Sequence, residues 1–205
     1  MPDTILVSFC PTPLAWAIFV AGNSVQLIML AGLPGTGKST IARELARAIP
    51  AVVLDKDRIR AALFPAERMT YTTAQDDFCL DVMLRTATEL LRQKPEEPVI
   101  LDGRTFSRSY QVHLVKQHAA QLGASLLIIE CVCSDATARE RLSRDAAAGD
   151  HPAANRNYEL YLAIKERFEP IREPRLVVNT DQPFPLVVAQ CLAATRLAGS
   201  TPHAG

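Results

Sequence analysis

The chain has 205 residues, 48% hydrophobic and 21% charged, ordinary globular usage and long enough to bury a core without disulfide or metal staples. Lys plus Arg and Asp plus Glu each number 22, so no global field draws it to nucleic acid or an anionic membrane, and any basic work is local. Five cysteines (Cys10, Cys79, Cys131, Cys133, Cys191) lack CxxC spacing and lie far from the four histidines, so they read as free thiols of a reducing, cytoplasmic protein.

Residues 1–25 read as an extension whose role the sequence does not give. "TILVSFCPTPLAWAIFVAGNS" is apolar but broken by Pro11 and Pro13, and no Lys or Arg precedes Lys38, so the basic flank of a signal peptide is missing. Its longest apolar run, Leu14 to Gly22, is shorter than the roughly 20 residues a bilayer span takes. The expectation is no membrane partner, and either an added edge strand or an over-long translation start.

From Val25 the pattern is regular. "VQLIMLAG" predicts a buried parallel strand ending at Gly32. Ile41, Leu45 and Ile49 recur at helical spacing, predicting a helix over Lys38 to Ile49. "AVVL" is a second strand (Ala51 to Leu54), and Asp57 to Phe64 is helical up to Pro65. Tyr71 to Gln93 reads as a long helix with Leu80, Leu84, Ala87 and Leu91 on its buried side and Asp76, Asp77 and Asp81 off it. "PVILD" (Pro98 to Asp102) is a third strand, Ser109 to Leu122 a helix, and "SLLIIECV" (Ser125 to Val132) a fourth strand. Cys131 and Cys133, two apart, would share one strand face. Asp135 is the expected cap of a helix carrying Arg139, Arg141 and Arg144. "AAAGDHPAANRN" is a small, polar, mobile loop. Tyr158 to Phe168 is helical, "RLVV" (Arg175 to Val178) a fifth strand, and Phe184 to Leu197 a closing helix. The division is therefore an extension over 1–25, one domain over 26–197 and a disordered tail over 198–205. Strands alternating with helices mean an α/β fold, a five-stranded parallel sheet with helices on both faces.

Between the first strand and the first helix stands "GLPGTGKST", which fills GxxxxGK[ST] with Gly32, Gly37, Lys38 and Ser39. Its glycines let the loop of Gly32, Leu33, Pro34, Gly35, Thr36, Gly37, Lys38, Ser39 and Thr40 curl around the phosphates with its N–H groups, which Pro34 alone lacks, pointing toward phosphate oxygens. The helix start adds its positive end. Lys38 reaches the β- and γ-phosphates and the Ser39 hydroxyl ligates Mg²⁺. The motif follows a buried strand and opens an amphipathic helix, the context it requires, so ATP with Mg²⁺ is the expected nucleotide.

Phosphoryl transfer needs an acceptor base or clamp, a metal-holding carboxylate and arginines over the transferring group. Asp57 stands past the second strand at the carboxyl edge of the sheet, where α/β ligands bind, and Arg60 lies one turn on. Asp57 is the expected general base and Arg60 a clamp for an anionic part of the substrate, with Asp55 competing for both roles of Asp57, base and helix cap. Lys56 and Arg58 are expected in solvent. Asp102 ends the third strand in a position suited to hold Mg²⁺ with Ser39, and Arg104 is placed to touch substrate or phosphate. Arg141 and Arg144, one turn apart, are expected lid arginines, Arg141 stabilising transition-state charge and Arg144 binding ATP, with Arg156 a further candidate and Arg139 in water. A guanine-reading NKxD is absent, "VVNTDQ" having the wrong spacing, and the length leaves little room for a remodelling ATPase; a switch or acceptor-free ATPase is the competing class.

"GLPGTGKST", "LDKDRIR", "VILDG" and "RERLSR" together resemble the stand-alone P-loop kinases: gluconate kinase, chloramphenicol phosphotransferase, zeta-toxin-type kinases, adenylylsulfate kinase and the kinase domain of bacteriophage polynucleotide kinase. The resemblance covers about residues 26 to 197. It implies a P-loop NTPase three-layer sandwich with a small lid and an adenine pocket around Asn179 to Pro183. It also implies that Asp57 and Arg60 match the acceptor-side aspartate and arginine and that Arg141 and Arg144 match the lid arginines. "LDKDRIRAAL" is similar to the adenylylsulfate kinase segment LDGDNIRHGL, but "LDGRTFSRSY" stands where that family has FISPY, and "LDGR" is similar to the DGFPR of nucleoside monophosphate kinases. A phosphate acceptor needs clamps and no base, whereas a hydroxyl benefits from the Asp57 carboxylate. The expected acceptor is therefore a hydroxyl of a small molecule (metabolite, sugar or antibiotic), the alternatives being adenylylsulfate or a nucleotide or polynucleotide 5′ end. Long nucleic acid is disfavoured by the neutral charge and the lack of an aromatic-basic stripe. "TYTTAQDDF" opens the helix expected to wall the pocket, its hydroxyls and acids suiting a polyol or aminated substrate.

Overall fold

A computed structural model describes residues 25–148 and 157–197. Five parallel strands, β1 (Val25–Ala31), β2 (Val52–Asp55), β3 (Val99–Asp102), β4 (Ser125–Val132) and β5 (Leu176–Asn179), lie in the order β2-β3-β1-β4-β5. The helices are α1 (Lys38–Ala48), α2 (Lys56–Leu63), α3 (Thr73–Gln93), α4 (Ser109–Leu122), α5 (Asp135–Ala148), α6 (Tyr158–Glu166) and α7 (Phe184–Leu197). Every expected strand and helix of the domain is present, with ends moved by one or two residues. Residues 1–24, 149–156 and 198–205, with Cys10 and Arg156, lie outside the described residues; of the expected extension Val25 opens β1, and of the expected loop residues 146–148 end α5 and Asn157 precedes α6.

The central strand is apolar on both faces because each face has its own core. Leu27, Met29 and Ala31 join Leu80, Met83, Ala87, Val112 and Val115 from α3 and α4. Ile28 and Leu30 point the other way, against Ile41 and Leu45 of α1 and Val187 and Cys191 of α7. This period-two division follows from the pleat of a strand covered on both sides. Cys79, Cys131, Cys133 and Cys191 are free thiols, as expected. Cys131 and Cys133 do not share a face, however: β4 ends at Val132, Cys131 packs into the α1/α7 core and Cys133 against a satellite cluster of Ala138, Leu142 and Tyr161.

Caps explain where the helices begin. Asp55 caps α2, accepting from the N–H of Asp57 at 2.8 Å and of Arg58 at 3.3 Å. The Thr72 hydroxyl caps α3 and the Asn157 carboxamide caps α6. Ser134, not Asp135, caps α5, its hydroxyl accepting from the Thr137 N–H at 3.2 Å. Asp135 sits in the first turn instead and ties α5 to α6, accepting from Tyr161 Oη and Lys165 Nζ, both at 2.6 Å. The two neighbouring residues have similar capping preference, so the sequence does not separate them. No helix among the described residues is long and apolar enough to cross a membrane.

The start of α4 is held from far away in sequence. The Glu169 carboxylate accepts from Ser109 N–H at 2.7 Å, Ser109 Oγ at 2.8 Å and Arg108 Nη1 at 3.0 Å, and the Glu169 N–H donates to Ser107 O at 2.9 Å. These donors, the Ser109 N–H foremost, pull the Glu169 carboxyl down to about 2. A carboxylate depressed in the folded state stabilises above its unfolded value, about 4.3, and loses that contribution as pH falls toward the folded one. Urea denaturation of the wild type should therefore show a loss of stability between roughly pH 5 and 2 that Glu169→Gln reduces; equal acid sensitivity in the two proteins would contradict the assignment.

Candidate active site

The turn between β1 and α1 is built by close approach. Gly32 has φ 129, and a Cβ there would lie 2.2 Å from the Cys131 carbonyl oxygen, so no other residue fits. Its N–H donates to Thr105 O at 3.1 Å, tying the turn to the loop after β3. Gly37, at φ 85, is the residue before α1 and offers no side-chain cap, which leaves the first N–H groups of the helix for a ligand. Thr36 Oγ1 donates to Leu33 O at 2.8 Å and closes the turn. Lys38 is buried, and its Nζ donates to the carbonyls of Gly32 and Leu33 at 2.8 Å each, so its ammonium is held inside the loop it serves.

Beneath the loop, at the end of β3, Asp102 is buried and receives a hydrogen bond from Ser39. Burial pushes its carboxyl up, opposed by the Ser39 hydroxyl, the Gly103 N–H and the nearby Lys38 charge. Its Oδ1 has no hydrogen-bond partner. One carboxylate with an open oxygen beside one hydroxyl fits Mg²⁺, which keeps several waters and takes the rest of its shell from phosphate oxygens.

A second group of charges occupies the same sheet edge beside β2. With Asp55 spent on the cap, the Asp57 carboxylate accepts from Arg60 Nη1 at 2.7 Å and lies 3.3 Å from Lys56 Nζ. Arg60 is only 2% exposed; its Nη2 donates to Asp76, and its guanidinium lies 4.9 Å from the centre of the Tyr71 ring. Lys56 was expected in solvent but is buried, donating to Asp76 at 2.8 Å, with burial pulling its pKa down and Asp57 opposing. Lys56 starts α2 packed against Gly103, and the Asp76 carboxylate from α3 makes its burial tolerable. Arg58 is exposed, as expected. Arg104 is buried and donates to Asp77, which also accepts from Tyr110 Oη at 3.0 Å.

The expected lid arginines separate. Arg141 Nη1 donates to Thr180 Oγ1 at 2.9 Å and to Gly35 O at 3.3 Å, and its Nη2 to Thr180 O at 2.9 Å, so it bridges the phosphate loop and the turn after β5. Arg144 has a side chain 67% exposed and pairs with Glu140 on its own helix. Arg139 is exposed, but stacks at 5.4 Å over the Tyr158 ring rather than standing free in water. The sequence reading placed Tyr71, Asp76 and Asp77 in the segment walling the pocket and Thr180 on the adenine side, but missed that these residues are the partners of Lys56, Arg60, Arg104 and Arg141 and that Tyr110 joins them through Asp77. The one available signal was that Asp76 and Asp77 fall off the apolar stripe of α3 at its first turns.

A protein-family model described as an AAA domain matches residues 27–171. No curated protein matches the chain. Among solved structures, a gluconokinase from Sinorhizobium meliloti 1021 superposes with TM-score 0.64 at 20% identity, covering 86% of this chain and 95% of that one. The Mycobacterium tuberculosis APS kinase CysC, in complex with AMPPNP and APS, gives 0.57 at 19% identity, over 85% and 98%. Chaetomium thermophilum Kti12, in complex with ADP-AlF3, gives 0.63 at 16% identity, over 86% and 100%. At these identities the likeness is one of fold, the α/β fold of the stand-alone P-loop kinases. Family and phosphate loop together make the chain a nucleotide-dependent kinase or NTPase.

Gly32→Ala should abolish nucleotide binding, measured with a fluorescent ATP analogue, because the added methyl must displace the Cys131 carbonyl and with it the register of β1 on β4. Retained affinity would mean that the loop tolerates a shape other than the one described.

Proposed function

We propose that this chain, which belongs to the AAA domain family, is an ATP-dependent phosphotransferase that moves the γ-phosphoryl group to a hydroxyl of a small molecule. The observation that carries this reading is the division of labour at the end of β2: Asp55 caps α2, and Asp57 stands next to it at the sheet edge, held by Lys56 and Arg60. A phosphotransferase to a hydroxyl uses a carboxylate at this edge as the acceptor's base, a role that a switch or simple ATPase does not require.

In this reading the loop N–H groups and the start of α1 receive the phosphates, and Lys38 exchanges the Gly32 and Leu33 carbonyls for phosphate oxygens. Ser39 and Asp102 would hold Mg²⁺, which supplies charge neutralisation at the phosphates. Asp57 Oδ accepts the proton of the acceptor hydroxyl as attack begins, and Arg60 fixes that carboxylate rather than clamping substrate, since its terminal nitrogens are already engaged by Asp57 and Asp76. Arg141, anchored on Gly35 and Thr180, keeps the phosphate loop in register with the turn from Asn179 to Pro183, the proposed adenine side. Arg144 would have to leave Glu140 and enter by closure of α5 to bind ATP. The neutral charge and reducing-type thiols support a cytoplasmic setting and a small acceptor in preference to long nucleic acid.

Lys38→Ala should lose ATP turnover by about a thousandfold, as expected for removing a positioned cation from a charged transition state. Asp57→Asn should bind ATP as the wild type does and lose transfer to a hydroxyl, read as acceptor-dependent ATP consumption and as phosphorylated product by mass spectrometry across a metabolite panel. Undiminished transfer in Asp57→Asn would remove it as the base. Slow hydrolysis that no panel member accelerates would favour the switch.

A further inference from the structure

In the acceptor-side cluster the unanswered buried N–H groups fall on two arginines, one nitrogen (Nε) of Arg60 and two of Arg104. Lys56 donates to Asp76 with Asp57 close by, and both terminal nitrogens of Arg60 reach carboxylates. Arg104 is 3% exposed, yet only its Nη2 is engaged, by Asp77; its Nε and Nη1 have no hydrogen-bond partner. Two guanidinium N–H groups withdrawn from water and left open are costly, and the cost is relieved by an incoming acceptor oxygen. Asp76 is engaged through Oδ1 by Lys56 and Arg60, and Asp77 by Arg104 and Tyr110, so the cluster's own cations already answer these acids.

Arg104 and the base belong to one neighbourhood. β2 and β3 pair side by side with Asp55 opposite Asp102, and Gly103 packs so closely on the start of α2 that a Cβ there would lie 3.0 Å from the Lys56 N, so the residue after Gly103 leaves the sheet edge beside Lys56 and Asp57. Resting on the kinase reading of this same pocket, we propose that Arg104 reads an anionic group on the acceptor: the substrate is a hydroxyl compound that also carries a carboxylate, phosphate or sulfate. The oxygens of that group take the open Nε and Nη1 N–H groups while the hydroxyl meets Asp57. Asp77, the more exposed partner of Arg104, occupies part of the fork that the acceptor's anion completes. Arg104 thus sets specificity by leaving its N–H groups unpaired when a neutral acceptor enters.

The test is isothermal calorimetry on the full chain with Mg²⁺ and a non-hydrolysable ATP analogue, using matched probes: gluconate against glucitol, ribose 5-phosphate against ribose, glycerol 3-phosphate against glycerol. At least one anionic probe should bind about tenfold or more tighter than its neutral twin, the scale of a charge-assisted hydrogen bond. Arg104→Gln should close that gap, and Asp77→Asn, which releases Nη2, should widen it. Equal binding within every pair, no binding by any anionic probe, or a gap that survives Arg104→Gln overturns the proposal. If circular dichroism shows Arg104→Gln unfolded, Asp77→Asn decides, and an unchanged or narrower gap overturns it. Running phosphoryl transfer on the same pairs separates this proposal from the kinase reading. An anion bound through Arg104 but never phosphorylated keeps the first and sinks the second; phosphorylated neutral acceptors with no anion gap do the reverse.

Discussion

A buried cation must be answered by acceptors, and among the described residues the carboxyl edge of this sheet carries three besides Lys38 of the phosphate loop. Lys56, Arg60 and Arg104 are nearly inaccessible to solvent, and an unmatched charge in that setting costs about 3–5 kcal/mol. Asp57 is local to α2, but Asp76 and Asp77 come from the beginning of α3. The requirement fixes where that long helix must start relative to β2 and β3. The same acids also sit well at a helix N-terminus, whose partial positive charge favours them. Gln75 finishes the arrangement by accepting from the N–H groups of Thr70 and Tyr71 and donating to Arg68 O, so the turn before α3 winds around its carboxamide. Tyr71, at φ 51, thereby brings its ring against Arg60.

The phosphate loop is not independent of that edge. The Gly32 N–H reaches Thr105 O, Phe106 beside it is buried with φ 51, and Arg104 precedes both. The loop after β3 therefore carries a contact to the nucleotide side and a cation on the acceptor side within three residues. From the opposite direction, Arg141 joins Gly35 to Thr180, and Glu169 joins the segment after α6 to the start of α4. These ties cross between elements far apart in sequence, which on the proposed reading holds nucleotide and acceptor in one register.

The layout was legible where the chemistry is local. Gly32 to Thr40 announce themselves because the phosphate loop, the strand before it and the helix after it are contiguous. The buried runs of β1, β3 and β4 were equally plain. What could not be read were pairings at long range. Asp76 lies 20 residues from Lys56 and Asp77 lies 27 from Arg104, and nothing in a helical pattern says which cation an off-stripe acid will meet. Burial of Lys56 was invisible for the same reason: a lysine looks solvated until its partner is placed. Choices between neighbours were undecidable too, as with Ser134 and Asp135, or Asp55 and Asp57, where one residue takes the cap and the other is released for different work.

β1 supports two separate cores, and they carry different halves of the site. The α3/α4 core backs the acceptor-side acids, whereas the α1/α7 core backs the phosphate loop and the turn after β5. Side chains on one face pack mainly among themselves, while the backbone tie from Gly32 to Thr105 links the two halves. Such a molecule can drift toward new acceptors by repacking one layer while its nucleotide machinery is inherited intact, so diversification across relatives should be lopsided, concentrated on a single side of the sheet.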